Sequence, residues 1–172
     1  MKALIAWTLK GWLWWALATS VGMLAIAHAF QSFGGLSPCE LCFKQRDVYW
    51  IAMALSAAAI AARAYAPTRR SLGPLLGLVL AVAFAVGCGI AVYQAGAEWK
   101  WWPGPESCSG AALSAGAIDL KKFLTSGPVH VVRCDEASWR FLGLSMAGWN
   151  ALISLKLACW TLVWAGWSRR HD

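Results

Sequence analysis

An all-α membrane protein, a four-transmembrane-helix bundle with two non-cytoplasmic loops, is predicted by three features of this 172-residue chain. Hydrophobic residues make up 59% and charged residues only 13%, against about 25% charged in an ordinary soluble domain. Mean hydropathy is +0.53. The apolar residues fall into four long segments, and the thirteen tryptophans are the kind of amphipathic ring that gathers where a membrane meets water.

The first span is expected over residues 11–33, because no Asp, Glu, Lys or Arg stands between Lys10 and Glu40. About 20 residues at 1.5 Å each cross a bilayer. Lys2, Lys10 and the small-residue run Ala27-His28-Ala29 also fit a cleavable secretory signal. The apolar run exceeds the 7–15 residues of a signal core, so a retained helix is the preferred reading.

The second span is expected over 46–66, on a helix that begins earlier, at Pro38. Ser37 suits an N-cap, Pro38 the first helical position, and Glu40 completes a capping box with Ser37. The helix stops near Pro67, before Arg69 and Arg70. Residues 71–97 form the third span, with Pro74 near the start, where a missing N–H does little harm. Gly73 and Gly77 offer a small-xxx-small pair for close packing, or are incidental glycines. The fourth span is expected over 145–167.

Two loops join these spans on one side, 34–45 and 98–144. The second is punctuated by Pro103, Gly104, Pro105, Gly127 and Pro128. Within it Ile118, Leu120, Phe123 and Leu124 interleave with Asp119, Lys121 and Lys122. That pattern predicts a short amphipathic helix, lying on the membrane surface or capping the loop itself. The whole reads as a single domain.

The formal charge of +7 does not indicate nucleic acid, which needs cations clustered on a polar, solvent-facing surface. Here Lys2, Lys10, Arg63, Arg69, Arg70, Arg169 and Arg170 sit in short segments beside the spans. Lys44, Arg46, Lys100, Lys121, Lys122, Arg133 and Arg140 match them in number on the other side, so it is their density beside the spans, where the positive-inside effect acts, that places both termini in the cytoplasm. Trp7, Trp12, Trp14, Trp15, Trp160, Trp164 and Trp167 fall toward that side and are expected in its aromatic belt, with Trp50, Trp99, Trp101, Trp102, Trp139 and Trp149 toward the other. Lys156 stands near the middle of the fourth span, where an ammonium costs about 2.5–3.5 kcal/mol or more. It marks either a functional site or a stem that snorkels.

Of six cysteines, Cys39, Cys42, Cys108 and Cys134 fall in the two non-cytoplasmic segments, while Cys88 and Cys159 lie in apolar helix. The first four face an oxidising compartment, and the membrane pair behaves as small hydrophobes. Cys39 and Cys42 stand near a helix start, where unpaired N–H groups and the positive dipole end favour thiolate. Arg46, one turn beyond Cys42 on the same face, adds a permanent cation that stabilises a thiolate or an anionic electron acceptor. A c-type haem site is excluded, because Phe43 stands where a histidine is needed. A zinc site on the four thiols lacks a second tight Cys-X-X-Cys. A bridge between Cys108 and Cys134 would close a loop of about 27 residues, worth about 3–4 kcal/mol. Loop length leaves open whether such a bridge is permanent or labile.

Cys39-Glu40-Leu41-Cys42 with Arg46, Glu98-Trp99-Lys100-Trp101-Trp102-Pro103-Gly104-Pro105 before Cys108, and Cys134-Asp135-Glu136 leading to Trp139-Arg140-Phe141-Leu142-Gly143-Leu144-Ser145 and Trp149-Asn150 resemble the DsbB disulfide bond formation family. The resemblance covers nearly the whole chain. It implies a multi-pass protein of the bacterial inner membrane that reoxidises a soluble periplasmic DsbA-type thiol oxidase and passes the electrons to a quinone, ubiquinone or menaquinone. By the same resemblance the partner attacks Cys108 of a Cys108–Cys134 disulfide, Cys134 attacks Cys39 of a Cys39–Cys42 disulfide, and Cys42 donates to the quinone beside Arg46. The family pattern carries a histidine near the outer end of the third helix, where this chain has Gln94. An amide donates a hydrogen bond but does not relay a proton as imidazole does. Gln94 is therefore the expected second quinone contact with its proton role in question. His28 reads as a histidine buried at a helix interface rather than a replacement proton carrier. Two other functions compete: a membrane transporter whose loop disulfides only brace it, with Lys156 on its path, and a thiol-based metal-binding membrane protein.

Overall fold

A computed structural model describes residues 7–36, 38–65, 72–105 and 134–171 of the chain. Four long helices account for most of it: α1 Trp12–Ser32, α2 Glu40–Tyr65, α3 Leu72–Glu98 and α4 Met146–His171. Each is long and apolar enough to cross a membrane, so the chain is a multi-pass membrane protein. α1 packs on α2, α2 on α3, and α3 on α4 through the most extensive interface, with a lesser contact between α1 and α4 closing the bundle. Ser37, residues 66–71, and the stretch 106–133 with Cys108 and the expected amphipathic helix around Ile118 to Leu124 lie outside the described residues.

The helix ends follow local chemistry. α2 starts at Glu40 rather than Pro38, and Cys39 occupies the N-cap, since its carbonyl accepts the first intrahelical bond from Phe43 N–H (3.1 Å). α3 ends in a Schellman turn. Trp101 N–H bonds Gly96 O (2.9 Å) and Lys100 N–H bonds Ala97 O (3.0 Å), with Lys100 in the left-handed region at φ 61. Before α4 the chain forms a two-residue hairpin, β1 Arg140–Phe141 against β2 Leu144–Ser145. Leu142 and Gly143 both have positive φ (50 and 82), the signature of a type I′ turn. Ser145 Oγ then caps α4 by accepting from Gly148 N–H (3.1 Å). α4 runs four residues past the expected limit at Trp167, through Arg169 and Arg170.

The core lies along the bundle axis around Phe84, Leu80, Leu13, Tyr49 and Trp164. Trp164 is only 2% exposed and Trp12 only 7%, which corrects their expected place in an aromatic belt. Both instead close the bundle away from the thiols. Trp12 donates its indole N–H to Thr161 Oγ1 (3.0 Å) and stacks on Trp160 at 5.9 Å. Gly77 is where Trp164 fits, since a Cβ there would stand 2.7 Å from the ring. The glycine thus admits an aromatic side chain rather than a close backbone crossing. His28 is exposed, not buried, because α1 is open on that side near its end, with Ala25, Ile26 and Ala29 around it exposed as well.

Candidate redox site

The site is built where α2 begins. With Cys39 at the N-cap, its sulfur faces the backbone N–H groups of Leu41 and Cys42, as a capping side chain does. Cys42, three residues on, brings its sulfur to 3.0 Å from that of Cys39. Both are free thiols. The Cys39 thiol is pushed well above the ordinary cysteine range, first by its hydrogen bond with Cys42 and then by burial.

Cys134, from the far end of the long loop, is 1% exposed and lies in one buried cluster with Cys39 and Leu41, with Cys42 and Ile90 packed against it. It is disulfide-bonded. The segment that carries it is tied down by Lys100, whose ammonium donates to Asp135 O (2.9 Å) and pairs with Asp135 Oδ2 (2.8 Å). Lys100 sits in a backbone conformation that glycine normally takes, and from that turn its side chain reaches the residue next to Cys134.

Beneath Cys42 lies a cavity of about 140 Å³. Met23, Leu24, Ile26 and Phe30 line its apolar wall, and Cys42, Gln45, Arg46, Tyr49, Gln94 and Asn150 bring polar atoms to it. The Arg46 guanidinium donates to Gln31 Oε1 (2.6 Å) and to Ala27 O (3.0 Å), holding the end of α1 onto α2. It also lies over the Phe43 ring at 5.6 Å. Gln94 accepts from Gln45 Nε2 (2.8 Å) and directs its own amide N–H groups to Glu98 Oε1 (3.2 Å) and the Cys42 sulfur (3.7 Å). Asn150 donates to Gln45 Oε1, and the Tyr49 hydroxyl donates to Asn150 Oδ1 (2.5 Å) and contacts Ser154 Oγ (3.0 Å). A polar ladder therefore runs from Ser154 through Tyr49, Asn150, Gln45 and Gln94 to Glu98 and Cys42.

Five of the six residues singled out from sequence thus meet here: Cys39, Cys42 and Cys134 in one contact cluster, and Arg46 and Gln94 on the cavity that Cys42 lines. Cys108 lies outside the described residues. Sequence reasoning missed Gln45, Tyr49, Asn150 and Glu98. Their signal was polarity inside or beside otherwise apolar spans, where each unpaired polar group is costly. Glu98 is 7% exposed, and its Oε2 has no hydrogen-bond partner among the described residues.

The sequence agrees with this geometry. The family model for disulfide bond formation protein DsbB matches residues 10–164. Disulfide bond formation protein B of Xanthomonas euvesicatoria pv. vesicatoria is 30% identical over 176 residues, covering 96% of this chain and 95% of that protein. The protein of the same name from Xanthomonas campestris pv. campestris is 33% identical over 87% of this chain and 85% of its own. That from Aromatoleum aromaticum is 31% identical over 85% and 82%. No solved structure matches. A four-helix membrane bundle with a thiol pair at a helix cap and a third cysteine packed against it, matched along nearly its whole length, belongs to the DsbB disulfide bond formation family.

Proposed function

We propose that this chain reoxidises a soluble periplasmic thiol oxidase of the DsbA type by disulfide exchange and passes the electrons to a membrane quinone, ubiquinone or menaquinone. It does so from the bacterial inner membrane with both termini cytoplasmic. The observation that carries this reading is that Cys134 shares one buried cluster with Cys39, whose sulfur stands 3.0 Å from that of Cys42, and that Cys42 lines the cavity.

The exchange runs as follows. A thiolate of the partner attacks Cys108 of a Cys108–Cys134 disulfide, forming a mixed disulfide and releasing Cys134 as thiolate. Cys134 attacks Cys39 of a Cys39–Cys42 disulfide, and Cys42 leaves as thiolate. The partner's second thiol then attacks its mixed disulfide and departs oxidised. Cys108 is left to displace Cys39 from Cys134, which returns the loop bridge and leaves Cys39 and Cys42 reduced. In the structure Cys134 is disulfide-bonded and the two cysteines at the helix cap are free thiols.

The cavity fits a quinone ring, since an apolar cavity of about 150 Å³ takes a benzene-sized ring. Quinone supplies a two-electron, two-proton sink. An oxidant partner near −120 mV needs such a sink, because each 30 mV uphill costs about 1.4 kcal/mol. The chain's own residues do the rest. Cys42 presents the sulfur at the cavity wall, Cys39 closes on it to restore the disulfide, Arg46 supplies the positive charge, and Gln94 holds an N–H toward Cys42.

The test is quinone reduction by purified protein supplied with reduced thiol oxidase. Absorbance at the quinone band falls with the native chain and with Cys88→Ser, and Cys42→Ser abolishes the change. Undiminished reduction without Cys39 and Cys42 would overturn the proposal.

A further inference from the structure

Lys156 takes no part in this chemistry. It projects from the membrane-facing side of α4, and no hydrogen bond or ion pair engages it among the described residues. It lies ten residues from Met146 and thirteen before Arg169, or about 15 Å and about 20 Å along the helix. A four-carbon stem spans only about 6 Å. Its ammonium therefore stops short of lipid phosphates, which lie beyond a hydrocarbon core about 30 Å thick.

The surface around it has the spacing of a helix seam. Leu152, Leu155, Cys159, Leu162 and Gly166 recur at steps of three and four, and all are exposed. Nothing lies within 4 Å of where a Gly166 Cβ would stand, so a neighbouring backbone can approach closely there.

A second copy of the chain does not meet the charge. The acidic residues of the four helices are Glu40, Asp47 and Glu98. Hydrogen bonds pair Gln45 with Asn150, Tyr49 with Ser154 and Arg63 with Ser168, so each α2 residue is level with the α4 residue numbered 105 higher. Asp47 is thus level with Leu152, one turn from Lys156. The two helices are diagonal, however: α2 packs on α1 and α3, and α4 packs chiefly on α3. Gln45, Tyr49, Ala52 and Ser56 are buried in the bundle and Asp47 is exposed, so Asp47 and Lys156 occupy opposite outer faces. A two-fold dimer uses the same patch on both partners and cannot join them.

We infer that the α4 seam around Lys156 docks a transmembrane helix of a different protein, one that carries an Asp or Glu near the middle of the bilayer. Burying the ammonium against a carboxylate removes an unpaired charge from hydrocarbon, and the seam fixes the crossing. The contact leaves the thiol site free, because it lies on the other side of α4 from Asn150 and Ser154.

The test uses the full chain in phosphatidylcholine vesicles and a synthetic Leu/Ala transmembrane helix with a central Asp and a cysteine one turn away. Oxidation with copper phenanthroline, followed by peptide mapping, measures its disulfide to the native Cys159. The expected yield is at least tenfold above that with a central Leu in the peptide or with Lys156→Met, and Lys156→Asp with a Lys-centred peptide restores it. The Lys156→Met chain keeps its native unfolding temperature, which separates a lost contact from a lost fold. Equal yields for the Asp and Leu peptides, or an undiminished yield with Lys156→Met, would overturn the proposal. So would Cys159–Cys159 dimers that vanish with Asp47→Asn, which would assign the seam to a second copy.

Discussion

Cys39 closes the first turn of α2 as its N-cap and also shares a buried cluster with Cys134. Its thiol is held above the usual cysteine range chiefly by the hydrogen bond with Cys42. Thiolate is the form that alkylates, so Cys39 stays unreactive near neutral pH and reacts only as pH rises. In Cys42→Ala the larger cause is gone, and the alkylation curve of Cys39 moves to lower pH. An unmoved curve measured with iodoacetamide would assign the effect to burial alone. Arg46 holds two charge-assisted hydrogen bonds to α1 beside the cavity, each worth about 1.5–3 kcal/mol. Arg46→Ala is expected to raise the apparent constant for quinone about tenfold or more while leaving that for the thiol partner nearly unchanged. Steady-state kinetics varying each substrate measure both. These residues were legible in the sequence because a Cys-X-X-Cys pair and a cation one turn on need only local spacing. The N-cap was not: Ser37 and Glu40 have the composition of a capping box, yet the helix takes Cys39 as its cap.

Among elements, the four spans were legible because hydrophobic length is a property of the chain alone. The polar ladder was not, since Gln45, Tyr49, Asn150 and Glu98 each look isolated until α2 and α4 are set in register. The hairpin at 140–145 escaped notice because its strands have two residues each, too few for an alternating pattern. Packing gives one prediction here. In Gly77→Ala the added Cβ meets the buried Trp164 ring at 2.7 Å, so unfolding in detergent shifts by about 1–3 kcal/mol. The turn after α3 gives another. Lys100→Gly relieves a left-handed side chain that costs about 1–2 kcal/mol, so stability holds or rises. It also releases Asp135, and because Lys100 is largely exposed the lost pair is worth only about a two- to fivefold slowing of exchange from Cys134 to Cys39. Stopped-flow reduction followed by acid quench measures the rate. A slowing that tracks lost stability would contradict the positioning role.

At the scale of the molecule, the bundle places its chemistry at one end and its tryptophan-rich closure at the other. Helix caps, the Lys100 turn and the hairpin converge where α2 starts, so thiols from two loops meet beside a membrane cavity. The proposed path depends on exchange between Cys134 and Cys39, which share one buried cluster, because every electron crosses between them. The direct measurement is disulfide mapping of a chain carrying Cys42→Ser and Cys108→Ser, oxidised in membranes and digested without reductant. A Cys39–Cys134 disulfide is expected as the main product. Recovery of both as free thiols, or of Cys134 bonded elsewhere, would contradict it.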